Sequence, residues 1–229
     1  MDGRNGHSKD PVSANGFVTV ASADPGTPFV EAYGMLLASL LLGSNGKPPS
    51  TVAIASARAG DGCSTTALNL AMMVAQTGRS TILVDANMRS PGLHTAFDVP
   101  QGPGLAEVLT KKIDEKRAVV GTRIVNLSVM PAGHAEIPPQ ALLTQTSLAD
   151  LFQALRERFE MIIVDTPPIL SCPDVLHISK VVDGVLMVVS PHGASRRDQQ
   201  EARQLLDRVE ARIFGMVLNR ARSRAASRA

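Results

Sequence analysis

The sequence predicts an α/β domain whose doubly wound, mainly parallel sheet has helices on both faces. Short, continuous apolar runs rich in Val and Ile recur along the chain, as is typical of parallel strands buried on both faces. Segments with helical patterning lie between these runs, so strand and helix alternate. The 229 residues suit one such domain, and a hydrophobic fraction of 44% is typical of a globular chain. Ligands of such sheets bind at the carboxyl ends of the strands.

The chain divides into an arm, a domain and a tail. Residues 1–27 are rich in Gly, Ser, Asp, Asn and Pro, and we expect a flexible N-terminal arm. A nucleotide-binding domain is predicted over residues 28–220, beginning with a helix from about Pro28 to Leu42. Residues 221–229 are predicted to form a basic, disordered tail.

Within the domain, six apolar runs are candidate strands, and two further segments are candidate helices. The runs are Thr51–Ala55, Thr81–Val84, Met161–Val164, Gly184–Val189 and Ile213–Leu218, with Leu127–Met130 as a shorter sixth. The helices are Thr65–Thr77, which stops at Gly78, and the amphipathic segment Ser195–Ala211. Ser195 and Asp198 form an acidic variant of the N-terminal capping box.

A phosphate-binding loop follows the first predicted strand. Its sequence is Ala57-Arg58-Ala59-Gly60-Asp61-Gly62-Cys63-Ser64-Thr65, close to the pattern G-x-x-x-x-G-K-[ST] between a strand and a helix. The glycines let the backbone N–H groups curl inward, and the helix start adds its dipole. Ser64 occupies the position whose hydroxyl holds Mg²⁺. A glycine-rich turn that binds no ligand is the alternative interpretation.

Cys63 stands where this pattern has a lysine that neutralises charge during phosphoryl transfer. A neutral thiol cannot do so, and losing one such contact typically costs on the order of 10²–10³ in rate. A thiol at a helix start can instead be a nucleophile or a redox sensor. The sequence favours a loop that has lost its lysine.

Carboxylates end two of the predicted strands, as phosphoryl-transfer sites require for Mg²⁺ or its waters. They are Asp85 and Asp165. Two residues after Asp85, Asn87 stands where a second acid would serve as a base, and an amide cannot accept a proton as a carboxylate does. An ordinary polar loop residue is the alternative for Asn87.

Motifs spread over residues 28–220 resemble the cytoplasmic kinase domain of bacterial tyrosine kinases, the polysaccharide co-polymerase partners in the MinD/ParA-like superfamily. Besides the phosphate loop they are Pro28-Phe29-Val30-Glu31-Ala32-Tyr33, Val84-Asp85-Ala86-Asn87-Met88-Arg89-Ser90-Pro91, Pro131-Ala132-Gly133, Ile163-Val164-Asp165-Thr166-Pro167-Pro168, Asp183-Gly184-Val185 and Val217-Leu218-Asn219-Arg220. Their joint order and spacing make the resemblance specific.

The resemblance implies a site for ATP or ADP with Mg²⁺. Its nucleotide-binding residues would be Arg58, Gly60, Asp61, Gly62, Cys63, Ser64 and Thr65, with Asn219 and Arg220 near the base. Ser64, Asp85 and Asp165 would serve the metal, and Asp85, Asn87 and Arg89 would form the degenerate catalytic stretch.

The resemblance also implies a biological setting. The family phosphorylates tyrosines of its own C-terminal tail, cycles between a ring oligomer and monomers, and tunes capsular or exopolysaccharide length or export. A membrane adaptor activates it. This chain is similar to the stand-alone type, cytoplasmic and held at the inner face of the membrane by a separate co-polymerase or adaptor.

Four features depart from the family pattern. They are Cys63, Asn87, a tail without tyrosine, and an oligomer helix that reads Glu31, Gly34, Leu37 where the family has E-x-x-R-x-x-R. We therefore expect impaired catalysis and, if the chain forms a homo-oligomer, a weakened interface. No acid follows Glu210, and the arginines of the tail are either solvated or contact anionic lipid.

Three functions remain open from the sequence: a non-catalytic regulator in the polysaccharide pathway, an active tyrosine kinase of that pathway, and a partition-type ATPase. Arg58 occupies the position where partition-type ATPases carry a second lysine, whereas the Asp165-Thr166-Pro167-Pro168 stretch favours the polysaccharide branch. Aromatic residues make up only 3% of the chain, which argues against single-stranded nucleic-acid binding by stacking. No nucleic-acid partner is expected.

Overall fold

The computed structural model describes residues 17–43 and 48–221. Seven strands of this part form one sheet in the order β3-β4-β2-β5-β1-β6-β7. They are β1 Thr51–Ser56, β2 Thr81–Asp85, β3 Val120–Gly121, β4 Leu127–Met130, β5 Met161–Asp165, β6 Gly184–Val189 and β7 Ile213–Leu218. The short β3 runs antiparallel to β4, and all other neighbours are parallel. The predicted fold class is confirmed.

Nine helices lie before and between the strands within the described ranges. They are α1 Pro28–Leu42, α2 Cys63–Gln76, α3 Leu93–Phe97, α4 Leu105–Leu109, α5 Glu115–Ala118, α6 Pro139–Leu142, α7 Gln145–Arg156, α8 Asp174–Ser179 and α9 Arg196–Arg208. The predicted helices correspond to α1, α2 and α9, and the capping box of α9 is present. Helices α3 to α8 were not predicted from the sequence.

The core has two layers, one on each face of the sheet. On one face α1 and α2 bury Tyr33, Leu37 and Leu70 against the sheet. On the other face the remaining long helices bury side chains such as Phe152 of α7 and Leu206 of α9. The middle strands β1, β2 and β5 are buried along their whole length. Their carboxyl ends therefore meet at one edge of a rigid sheet, where the candidate site lies.

The packed chain begins upstream of α1. Val20 is only 4% exposed, its backbone N–H donates to Asn69 Oδ1 at 2.7 Å, and Asn69 Nδ2 donates to the carbonyl of Val18 at 2.8 Å. Phe17 packs against the apolar cluster that contains Val20, so residues 17–20, predicted as part of the arm, contact the domain. Residues 1–16 and the predicted tail at 222–229 lie outside the described residues.

Among the helices of the described residues, none combines the length and the apolar character that crossing a bilayer requires.

Candidate functional site

The phosphate loop joins β1 to α2 with the backbone geometry that an anion site needs. Gly60 and Gly62 have φ angles of 92° and 93°, in the left-handed region that favours glycine. A Cβ at Gly62 would also collide with the side-chain amide of Asn219. The N–H groups of Gly60, Asp61 and Gly62 donate no hydrogen bond within the described part of the chain. These free donors, next to the start of a 14-residue helix, fit a phosphate group.

Asp61 and Asn219 hold this loop in place. The Asp61 carboxylate is fully buried and its Oδ1 accepts from the N–H of Ala194 at 3.0 Å. Asn219 Nδ2 donates to the Asp61 carbonyl at 2.9 Å. Gly193 leaves room for the carboxylate, because a Cβ there would overlap it. Both predicted nucleotide residues thus contribute to the site by fixing the loop against the segments that follow β6 and β7.

The thiol of Cys63 points into the protein. Its Sγ donates to the carbonyl of Ile54 at 3.0 Å and lies 3.6 Å from the carbonyl of Thr166. Burial, followed by the charge of Asp165, raises the pKa of this thiol well above its usual value. Cys63 is therefore a neutral hydrogen-bond donor here, which argues against the nucleophile and redox alternatives. It supplies no cation to a bound phosphate.

The carboxylates of Asp85 and Asp165 lie side by side at the ends of β2 and β5. The two residues are Cα partners in the parallel ladder, and they are 0% and 1% exposed. Burial, followed by the charge of Asp85, raises the pKa of Asp165 to about 7, although neighbouring Ser64 and Cys63 lower it in part. Asp165 Oδ1 has no hydrogen-bond partner among the described residues. A divalent cation would relieve this like-charge pair, so Asp165 and Ser64 fit a Mg²⁺ site.

The carboxylate of Asp85 also accepts hydrogen bonds from the backbone of the loop that follows β2. Its Oδ2 accepts from the N–H groups of Gly92 and Leu93 at 3.2 Å each, at the start of α3, and its Oδ1 accepts from Asn87 at 3.1 Å. Burial raises the pKa of Asp85, and these amides oppose the rise. The Asn87 side chain accepts from the N–H of Ser90 at 3.3 Å, which is the behaviour of a turn residue.

Arg89 is committed to a buried ion pair. Its Nε and Nη2 each lie 3.0 Å from the carboxylate of Asp174, which is 0% exposed, and Nη2 also donates to Gln140 at 2.7 Å. This bidentate pair ties the loop after β2 to α8 and α6. We find no local sequence signal for Asp174 or Gln140 as its partners, because they lie 85 and 51 residues away.

Two more predicted residues flank the loop. Arg58 Nη2 lies 2.7 Å from Asp198 Oδ1, and the Arg58 side chain is 59% exposed. Arg220 has a φ of 56°, and its N–H donates to Asn219 Oδ1 at 2.9 Å. Asp198 appeared in the sequence only as part of the capping box. Its pairing with the phosphate loop was missed.

The helix α1, which corresponds to the oligomer helix of the resemblance, buries two positions of interest. Leu37, at the second missing arginine, is 6% exposed, and Tyr33 is 8% exposed. Burial is the largest influence on Tyr33 and raises the pKa of its hydroxyl. The chain's one tyrosine is therefore a packing residue in this conformation.

The comparisons with known proteins agree with this geometry. Residues 48–227 match the ParA family model, described as NUBPL iron-transfer P-loop NTPase. The tyrosine-protein kinase YwqD of Bacillus subtilis (strain 168) is 32% identical to this chain over 87% of it and 84% of that protein. The fold superimposes on the chimerical protein CapA2B2 with a TM-score of 0.83 at 28% identity, covering 87% of this chain and 88% of that one.

A second kinase structure gives a similar match. The kinase domain of the Escherichia coli tyrosine kinase ETK superimposes with a TM-score of 0.81 at 25% identity, covering 86% of this chain and 78% of that one. P-loop proteins of this fold bind nucleotide and Mg²⁺ in general, and the loop and the carboxylate pair are both in place. The chain belongs to the bacterial tyrosine-protein kinases, within the ParA-like family of P-loop NTPases.

Proposed function

We propose that this chain is a nucleotide-binding regulator of the capsular or exopolysaccharide pathway in which phosphoryl transfer is impaired. The observation that carries the proposal is the thiol of Cys63, which donates to the carbonyl of Ile54 at 3.0 Å and leaves the phosphate loop without its lysine cation. The free N–H groups of the loop support retained phosphate binding. The missing cation would slow the transfer step, where negative charge shifts between oxygens.

Two further residues support impaired transfer. Asn87 uses its side-chain oxygen on the N–H of Ser90, and an amide at this position cannot act as a general base. Tyr33 is buried against α2, so it is not presented as a phosphate acceptor. The arrangement is that of a site shaped for nucleotide but lacking the lysine and the general base of the family pattern.

The proposed ligands are ATP or ADP with Mg²⁺. Gly60 to Thr65 would surround the phosphates, Ser64, Asp85 and Asp165 would serve the metal, and Asn219 with Arg220 would lie beside the base. The Mg²⁺ ion would neutralise the terminal phosphates and relieve the repulsion between the two carboxylates. The chain itself would orient the phosphates and hold the metal.

The proposed partner is a membrane co-polymerase or adaptor, which would hold the chain at the cytoplasmic face of the membrane. Contact between the chain and that partner would depend on which nucleotide is bound. The arginine-rich tail would add contacts to anionic headgroups, each worth about 1 kcal/mol near the surface.

A second candidate is an active kinase of the same pathway, favoured by the retained carboxylates at adjacent strand ends. Calorimetry with ADP and Mg²⁺, beside a radiolabelled phosphate-transfer assay on partner proteins, separates the two. Measurable ADP binding with transfer at background supports the regulator. Steady ATP turnover or tyrosine phosphorylation by the unmodified chain supports the kinase and contradicts impairment.

A further inference from the structure

The phosphate loop carries one cation of its own. Arg58 is the second residue of the loop, and more than half of its side-chain surface is exposed. Arg89 follows Asp85 by four residues, but its Nε and Nη2 are both bound to the buried Asp174. Within the described residues, the Arg58 side chain donates one hydrogen bond, from Nη2 to Asp198 Oδ1. Of these two arginines, Arg58 is therefore the one that a phosphate can recruit.

We propose that Arg58 substitutes for the missing lysine as the cation that binds the nucleotide phosphates, and that Asp198 competes with the nucleotide for it. This inference rests on the proposed nucleotide-binding function. Guanidinium groups bind phosphate through paired N–H donors, and the phosphates of ADP or ATP carry more charge than one carboxylate. Exposed single ion pairs contribute little to stability, so the exchange of partner is favourable once phosphate is bound.

Asp198 is arranged to keep its place when Arg58 leaves. Its Oδ2 accepts from the N–H of Ser195 at 3.0 Å and from the Ser195 hydroxyl at 2.8 Å, which completes the capping box of α9. The other oxygen, Oδ1, accepts from Arg58 Nη2. The carboxylate is therefore a fixed competitor at the start of α9, and release of the arginine does not require the helix to fray.

The same helix start is tied to the loop by a second contact, from the Asp61 carboxylate to the N–H of Ala194. This contact is buried and belongs to the framework of the loop, whereas the Arg58–Asp198 pair is at the surface. The loop therefore stays anchored to the segment before α9 while Arg58 moves between the two anions. Asp198 would set the nucleotide affinity without setting the shape of the site.

The test uses the two variants that break the same ion pair from opposite sides. Arg58→Gln removes the cation and should weaken binding of ADP with Mg²⁺ in calorimetry by roughly tenfold. Asp198→Asn removes the competitor, keeps an oxygen for Ser195, and should tighten binding by roughly threefold. A pair that only supports the fold would weaken binding in both variants. Arg197→Gln, which removes an exposed arginine of the same helix, is the charge control and should bind as the unmodified chain does.

The double variant completes the cycle. Arg58→Gln with Asp198→Asn should bind as weakly as Arg58→Gln alone, because the competitor has no effect without its arginine. The inference is overturned, with the proposed function intact, if Arg58→Gln binds ADP as well as the unmodified chain or if Asp198→Asn weakens binding. If neither the unmodified chain nor Asp198→Asn binds ADP, the proposed function fails and the inference fails with it.

Discussion

Restoring the lysine and the carboxylate that the family pattern calls for should recover phosphoryl transfer. The perturbation is Cys63→Lys combined with Asn87→Asp, compared with each single change. Cys63→Lys alone should raise ADP affinity by roughly tenfold or more, because a cation joins a loop that faces two buried carboxylates and the phosphates. Turnover should rise clearly only in the double variant, since the amide of Asn87 cannot accept a proton.

The magnitude follows from the charges in the site. An ammonium about 4 Å from a phosphoryl oxygen is worth about 4 kcal/mol at an effective dielectric constant near 20, which corresponds to about 10³ in rate. The cost to the fold is small. The carbonyl of Ile54, which loses the thiol, still accepts from the hydroxyl of Thr166 at 2.8 Å. We expect a loss of stability below about 1 kcal/mol from this change.

The assay is ATP hydrolysis under saturating Mg²⁺, with Cys63→Met beside Cys63→Lys as a neutral control of comparable reach. The double variant should exceed the unmodified chain by roughly 10²- to 10³-fold, the upper limit being the full Coulomb term. Two results would refute the reasoning: turnover by the unmodified chain that matches the double variant, or a methionine variant that matches the lysine variant.

Three further changes test the structure by urea unfolding. Gly62→Ala should lower the free energy of unfolding by at least about 2 kcal/mol, because its Cβ adds a collision to a left-handed backbone. Gly60→Ala should lower it by about 1 kcal/mol, since only the backbone conformation is unfavourable there. Equal losses in the two variants would contradict this. Leu37→Arg should lower the free energy of unfolding by about 3 kcal/mol or more, because it buries a charge. The exposed Met35→Arg is the control and should change it by no more than about 0.5 kcal/mol. A stable Leu37→Arg would show that α1 is not packed as described. Asp183→Asn should lower the free energy of unfolding by about 1 kcal/mol at neutral pH. Burial raises the pKa of the Asp183 carboxyl, but hydrogen bonds from the start of β1 outweigh it and lower this pKa overall. The stability that Asp183 contributes is therefore present above the unfolded pKa and is lost as the pH falls through the folded pKa, below pH ~4. The unmodified chain should therefore lose stability on acidification more steeply than Asp183→Asn.

Local patterns were enough to predict the phosphate loop and six of the seven described strands, the two-residue β3 being missed. A buried parallel strand is a continuous apolar run, and its last residue is the next polar one, so Asp85 and Asp165 could be placed from their neighbours alone. The parallel ladder then brings them together without further information. The capping box of α9 was equally readable, because Ser195 and Asp198 lie three residues apart.

The rest depends on contacts between distant segments. The pairs Arg89–Asp174 and Arg58–Asp198 are separated by 85 and 140 residues, and no periodicity joins them. The inward direction of the Cys63 thiol follows from the carbonyl of Ile54 and the burial around it. Most of the missed helices have only four to six residues, too few to show a period.

Helix α7 is different, because its pattern was available in the sequence. Leu148, Leu151, Phe152 and Leu155 follow the spacing i, i+3, i+4 and i+7, and all four are buried. This apolar stripe is therefore a sequence signal from which α7 could have been predicted.

The side chain of Asn69 links residues 18–20 to the first turn of α2, which follows the phosphate loop. Its amide holds the backbone at Val18 and Val20 and, one helical turn back, the carbonyl of Thr65 at 2.9 Å. Because α2 is packed along most of its length, we expect it to move as a rigid unit. A displacement of residues 18–20 would therefore reach the first turn of α2, next to the phosphate loop, through the side chain of Asn69.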